Sequence, residues 1–260
     1  MKKALILAIL MLAAASFIAF SPGPSWAQAK GPIKIGFIAP LSGGFAATGK
    51  DMLSGIQLYL EEIAYQAAGR KIELIVEDSE GVPATALTKT RKLVEKDGVH
   101  VMTGGLLAST GYALVPYIDS KEIPMTYPIM APDDLTQRQP KPKWIVRTGW
   151  NSSQPNHALG EYAYQVLKLR KAVIIGLDYA FGWESAGGFQ KTFEDAGGKV
   201  IQKIWTPLTV TDFSPYLAQI SKEADVVYAL FTGRSTLQFT KQYQEFGIKA
   251  KIPVVGGGTT

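Results

Sequence analysis

Short apolar runs rich in Ile and Val alternate along this chain with stretches whose apolar residues recur every three or four positions. The runs at 33–39, 71–77, 99–103, 123–127 and 144–147 are expected strands, as are 172–177, 199–205, 225–231 and 252–255 after Gly149. Helices are expected between them. Over 48–67, Met52, Ile56, Leu60, Ile63 and Ala67 fall on one face. A second runs over 83–96, opened by Pro83, whose fixed φ and missing N–H suit a first helical position. The others are 109–120, 153–168, 182–196, 213–221 and 233–246. Gly197, Gly198 and Gly247 sit just past helices, where a left-handed residue commonly ends the turn.

Alternating strands and helices with wholly apolar strands imply a parallel sheet covered on both faces. The alternation breaks at 128–143, which holds Pro128, Pro132, Pro140 and Pro142. The expected fold class is therefore α/β, with two Rossmann-like parallel-sheet lobes, 28–149 and 150–260, and a crevice between them.

The first 29 residues do not follow this pattern. Lys2 and Lys3 precede an uncharged run from Ala4 to Phe20, then Pro22, Gly23 and Pro24, then small residues at Ser25, Ala27 and Ala29. That is the layout of a cleaved secretory signal peptide, assigned to 1–27, with Ala29 as an alternative cut. The rival, an uncleaved anchor, needs a run of roughly 20 apolar residues, slightly longer than this one. Export changes the reading of the charge. The whole chain carries 27 Lys and Arg against 22 Asp and Glu; removing 1–27 leaves 25 against 22, or +3. So small an excess is a weak argument for nucleic acid, and the clusters at 89–92 and 141–143 read as solvated surface. The chain has no cysteine, which excludes disulfides, thiolate metal sites, a thiol nucleophile and a lipidated N-terminus. With only His100 and His157, a histidine metal centre is not expected either.

Ligands of such sheets bind beyond the carboxyl ends of the strands. That selects 40–49, 104–110, 127–131, 178–183, 231–234 and 256–260. In 104–110, Gly104 and Gly105 would let backbone approach a ligand, and Ser109 and Thr110 stand at a helix start that favours an anion. The plainer alternative makes Ser109 only a helix cap. Tyr127, Trp150, Tyr179, Phe181, Trp183 and Phe231 fall at or near these loop ends and could wall an apolar pocket. Gly44 to Lys50 matches G-x-x-x-x-G-K between a strand and a helix, but Asp51 stands where a nucleotide-binding loop needs Ser or Thr. No G-x-S-x-G or H-E-x-x-H is present.

The order of segments resembles the Leu/Ile/Val-binding, or type I, family of periplasmic solute-binding proteins of ABC transporters. The residues that carry the resemblance are 33–44 (IKIGFIAPLSGG), 74–79 (LIVEDS), 102–110 (MTGGLLAST), 128–138 (PIMAPDDLTQR), 147–149 (RTG), 178–182 (DYAFG), 211–214 (TDFS), 241–247 (KQYQEFG) and 252–258 (IPVVGGG). The resemblance implies two lobes joined by a three-strand hinge, closing on a small ligand. The loaded protein, a periplasmic monomer without lipid, cofactor or metal, then docks on a membrane permease and performs no catalysis. Loop positions and resemblance together give the expected ligand-contacting set: Leu106, Ala108, Ser109, Thr110, Tyr127, Met130, Ala131, Tyr179, Phe181, Phe231, Thr232 and Gly258.

Two departures refine the expectation. Ala108 stands where amino-acid binders of the family usually have Ser, Met130-Ala131 where a hydroxyl residue is usual, and Gly258 where an acid holds the ligand ammonium. An ammonium buried without a partner costs several kcal/mol. The ligand class is then a branched-chain amino acid or related carboxylate or amide, with an aromatic acid lacking an α-ammonium suited to Met130 and Phe231. Family members also continue past this point and recross the hinge, so both lobes are expected to be incomplete here. Two other functions share features with this reading: a ligand-binding sensor domain of the same fold, and a secreted enzyme, for which no nucleophile–base pair is evident.

Overall fold

The first apolar run becomes the middle of a sheet. In a computed structural model, which describes residues 31–137 and 140–256, strand β1 (Ile33–Ala39) pairs in parallel with β3 (Arg70–Asp78) on one side and β4 (Val101–Gly104) on the other. Strands β5 (Met125–Tyr127) and β6 (Ile145–Arg147) extend the sheet beyond β4, and a short β2 (Gln66–Ala67) flanks β3, giving the order β2-β3-β1-β4-β5-β6. The expected signal peptide 1–27 and Gly258 lie outside the described residues. Helices α1 (Ala46–Glu62), α2 (Pro83–Arg91, followed by one wider π turn over Lys92–Lys96) and α3 (Ala108–Lys121) make the crossovers.

The end of the first helix differs from the pattern-based expectation. Helix α1 stops at Glu62 rather than running to Ala67. Ala64 and Tyr65 take positive φ, and Ala68-Gly69, both left-handed, turn the chain so that β2 (Gln66–Ala67) pairs antiparallel with Arg70 and Lys71. Two adjacent residues at φ > 0 form the turn whose twist matches a hairpin. Ala67 thus continues the apolar face in sequence but leaves the helix in space.

The second sheet repeats the scheme. Strand β7 (Lys171–Leu177) is central, with β8 (Lys199–Thr206) on one side and β9 (Val226–Leu230) then β10 (Val254–Gly256) on the other, all parallel. Both β7 after Lys171 and all of β9 are buried, as expected of strands covered on two faces. The covering helices are α4 (Gln154–Gln165), α5 (Ala180–Asp195) and α7 (Arg234–Glu245). The helix expected at 213–221 is a single turn, α6 (Ser214–Leu217). Stacked Phe189, Phe193 and Tyr228 fill the space between α5 and β9. Among the described residues no helix is long and apolar enough to cross a membrane.

Residues from Ile33 on form one compact unit, and the two sheets are tied by a short polar crossing. Ser152 donates from its N–H (2.8 Å) and its Oγ (2.5 Å) to the carbonyl of Ala131. The Ser152 carbonyl accepts from Ser185 Oγ (3.0 Å) and Asn156 Nδ2 (2.8 Å), and Asn156 Oδ1 accepts from Tyr228 Oη (2.8 Å). All four side chains are buried, so each hydrogen bond also avoids the cost of an unpaired group. A second tie joins helices of the two sheets: Tyr112 Oη on α3 donates to Glu184 Oε1 on α5 and accepts from the Asp134 N–H (3.2 Å). Burial pushes the Glu184 carboxyl above its ordinary range despite that hydrogen bond. The basic run at 89–92 is partly neutralised within its own sheet, since Lys89 and Lys92 both pair with Glu77 (3.0 and 2.5 Å).

Helices α4 and α5 approach so closely that two glycines stand in for side chains. A Cβ at Gly188 would lie 2.5 Å from the Ser153 carbonyl oxygen, and one at Gly160 2.4 Å from that of Phe189; at Gly187 it would meet nothing within 4 Å. Gly188→Ala therefore forces the helices apart and lowers stability by about 1–3 kcal/mol. Gly187→Ala, one residue away on the open face, raises it by up to about 1 kcal/mol through helix propensity. Chemical denaturation of the two variants checks the opposite signs.

Glu184 gives a pH signature. Its raised folded-state pKa means the folded protein binds the proton more tightly than the unfolded chain. Its stabilisation is complete below the unfolded carboxyl range and is lost as pH rises through the folded pKa. Glu77, held low chiefly by the Lys92 hydrogen bond, has the opposite sign. Glu184→Gln keeps an acceptor for Tyr112 without the charge. Its unfolding temperature is expected to exceed that of the wild type at pH 7.5, with the gap closing toward pH 4 in a thermal series.

Candidate functional site

Both sheets reverse direction at their first strand. From β1 the chain goes to β3 on one side and then to β4 on the other; from β7 it goes to β8 and then β9. The loops after β1 and β4 therefore diverge, as do those after β7 and β9, and each reversal leaves a crevice beyond the strand ends. The two crevices meet. Between them lies a chamber of about 320 Å³, near the small end of ligand pockets. Its walls come from the loop after β1 and the start of α1 (Phe45, Thr48), the loop into α3 (Leu106, Leu107, Ala108), the strand end after β5 (Pro128, Ile129, Ala131), the crossing residue Trp150, the start of α5 (Tyr179, Phe181), and the loop after β9 (Thr232, Gly233).

The chamber is apolar and uncharged among its described lining. Phe181 sits 6.1 Å from Trp150 and 6.0 Å from Tyr179, ring centre to ring centre, in tilted contacts. Burial raises the Tyr179 hydroxyl far above its ordinary range, so it stays protonated. The main polar feature at the first-sheet wall is the start of α3. Leu107 precedes the helix in extended conformation, and Ala108 is its first residue. The first N–H groups of a helix have no partner within it, and the dipole there favours negative charge.

The structure brings Leu106, Ala108, Ala131, Tyr179, Phe181 and Thr232 of the expected set onto this wall. Five others lie elsewhere. Ser109 is inside the first turn of α3 and is neither on the wall nor the helix cap, because the helix starts one residue earlier than expected. Thr110 is buried in the helix. Tyr127 is a core residue whose Oη donates to the Gly111 carbonyl (3.0 Å). Met130 is buried against Gly105, where a Cβ would meet its sulfur at 2.3 Å. Phe231 packs between Phe213 and Phe239. Gly258 lies outside the described residues. Trp183, another candidate aromatic, is exposed and donates its indole N–H to Asp178 (2.9 Å).

The glycines have a different task from the one expected. Gly104 (φ +104°) and Gly105 (φ +77°) let the loop fold back on β1, where the Gly105 N–H donates to the Ile38 carbonyl, and make room for Met130. Likewise Gly49, the second glycine of the G-x-x-x-x-G-K match, touches the Pro40 carbonyl with no space for a Cβ. Its spacing serves the packing of α1 on β1. The wall residues outside the expected set are Phe45, Thr48, Leu107, Pro128, Ile129, Trp150 and Gly233. All but Trp150 belong to strand-end loops selected by topology; Trp150 was flagged only as an aromatic near a loop end.

A family model described as periplasmic binding protein matches residues 32–260. Leu/Ile/Val-binding protein homolog 6 of Brucella melitensis biotype 1 is 29% identical over 221 residues, covering 84% of this chain and 56% of its own length. Among solved structures, an ABC transporter substrate-binding protein from Sphaerobacter thermophilus is 36% identical with a TM-score of 0.75, covering 86% of this chain and 62% of that one. A solute-binding protein of an ABC transporter from R. palustris, in complex with benzoate, is 30% identical with a TM-score of 0.82, covering 88% and 62%. The chain thus spans about three fifths of the length of these relatives. With a family model matched from Pro32 onward and a parallel two-sheet fold that converges on one chamber, this chain belongs to the periplasmic binding protein family.

Proposed function

We propose that this chain is the ligand-capturing part of an extracytoplasmic solute-binding component of an ABC importer, and that its ligand is a small aromatic or branched carboxylate. The observation that carries the ligand class is the chamber itself: aromatic walls, a helix start at one end, and no acidic side chain among its described lining. A carboxylate gains from the unpaired N–H groups at Ala108 and from the helix dipole. An α-ammonium would lose its water without gaining a countercharge, an imbalance of several kcal/mol. The apolar body of such an acid would lie against Phe45, Trp150 and Phe181, each offset or tilted contact adding about 0.5–1.5 kcal/mol beyond area burial.

The benzoate-bound R. palustris relative supports the same class, and the Leu/Ile/Val-binding homologue supports a branched acid as the next candidate. The N-terminal sequence pattern supports export to the periplasm, and the family supports delivery to a permease by a binding protein without catalytic chemistry.

Isothermal titration with benzoate beside leucine tests the ligand class. Benzoate is expected to bind at least about tenfold more tightly; tight leucine binding with none by benzoate would overturn the reading. Trp150 is partly exposed, so Trp150→Ala is expected to weaken benzoate about tenfold while leaving the unfolding temperature within a few degrees of wild type.

A further inference from the structure

A second, larger cavity of about 500 Å³ lies next to the chamber, and the two share Phe45 and Thr232. Its remaining walls are Gly43, Gly44 and the turn at 80–83 from the first sheet, and 208–211 with the start of α7 from the second. Its chemistry differs from the chamber's. Arg234 lines it, is exposed, and its guanidinium makes no ion pair or hydrogen bond with any described residue. Gln238, one helical turn on, also lines it, and its Oε1 is buried with no hydrogen-bond partner among the described residues. Beside the shared Phe45 the two sheets come close without a side chain between them: a Cβ at Gly233 would lie 2.9 Å from the Gly44 carbonyl oxygen and 3.2 Å from the Phe45 ring.

We infer that this cavity is a second subsite, and that Arg234 is the specificity-determining residue that receives a second acidic group at the far end of the ligand. The inference rests on the carboxylate reading of the chamber. An arginine fork matches a carboxylate with two parallel hydrogen bonds, a geometry that Lys does not reproduce. The shared walls at Phe45 and Thr232 put the two subsites end to end along one ligand. Glu80, on the opposite rim, is likewise exposed and without an ion-pair partner among the described residues. Its charge opposes a small free anion in this cavity. The anion is therefore one carried in by a body already seated against the aromatic walls. The ligand class is an extended diacid, with an apolar, aromatic middle and a carboxylate at each end.

Titration calorimetry of the full chain with benzoate, benzene-1,4-dicarboxylate, 4-carboxycinnamate and acetate tests this. At least one of the two diacids is expected to bind about tenfold more tightly than benzoate, with no binding by acetate. Arg234→Ala should remove that advantage and leave benzoate affinity unchanged. Arg234→Lys should restore only part of it, and Glu80→Gln should enlarge it. Arg234 is exposed, so all variants should unfold at the wild-type temperature, which a thermal melt checks alongside. Benzoate binding with no diacid advantage, or an advantage that survives Arg234→Ala, overturns the subsite while leaving the chamber's reading intact. Failure of benzoate and both diacids alike in folded protein overturns both.

Discussion

Parallel strands cannot be joined by a tight turn, and this constraint organises the whole molecule. Apart from the short β2–β3 hairpin at the edge of the first sheet, each strand that gains a parallel neighbour within its sheet has to be followed by a crossover that returns the chain to the same end. Successive crossovers lying on one side would build the sheet in one direction only. Here β1 and β7 each acquire their first neighbour on one side and their second on the other, so the crossovers change face and the loops part. A crevice at each reversal is the geometric result. The crossing at 148–153, locked by Ser152 to Ala131 and to α4 and α5, holds the two sheets so that the crevices face one chamber.

The fold was legible because its signal is repeated. Nine apolar runs and seven helical stretches follow the same rule, and most errors were at element ends. The short hairpin at Gln66–Ala67 was hidden because Ala67 fits the apolar spacing of α1; only the left-handed turn at Ala68 and Gly69, a backbone property, decides against the helix. The strand expected at 99–103 begins at Val101 instead; at His100 the backbone N–H still donates to the Lys34 carbonyl (2.9 Å), while the Lys34 N–H donates to the imidazole Nδ1 (3.0 Å) rather than to a backbone carbonyl.

The site was legible at the level of loops and less so at the level of side chains. Topology names the loops, but alternation and turn geometry choose which residue of a loop points into the chamber. Tyr127 and Phe231 are large aromatics at strand ends, yet both face their own sheet's helices. Nothing in the spacing of Phe45 and Thr48 separates them from ordinary residues at a helix start, so the sequence does not mark them as wall residues. Met130 illustrates the reverse case: its apolar character was read as ligand contact, whereas its sulfur occupies the gap that Gly105 leaves open.

The near-contact of Gly233 with Gly44 and Phe45 has a mechanical meaning. A side chain at Gly233 would need the space that the Gly44 carbonyl oxygen and the Phe45 ring already hold, so glycine at this position is what lets the second sheet's loop come so near the first. Any larger residue at 233 would act as a spacer, holding the two sheets apart at the edge that the chamber and the second cavity share.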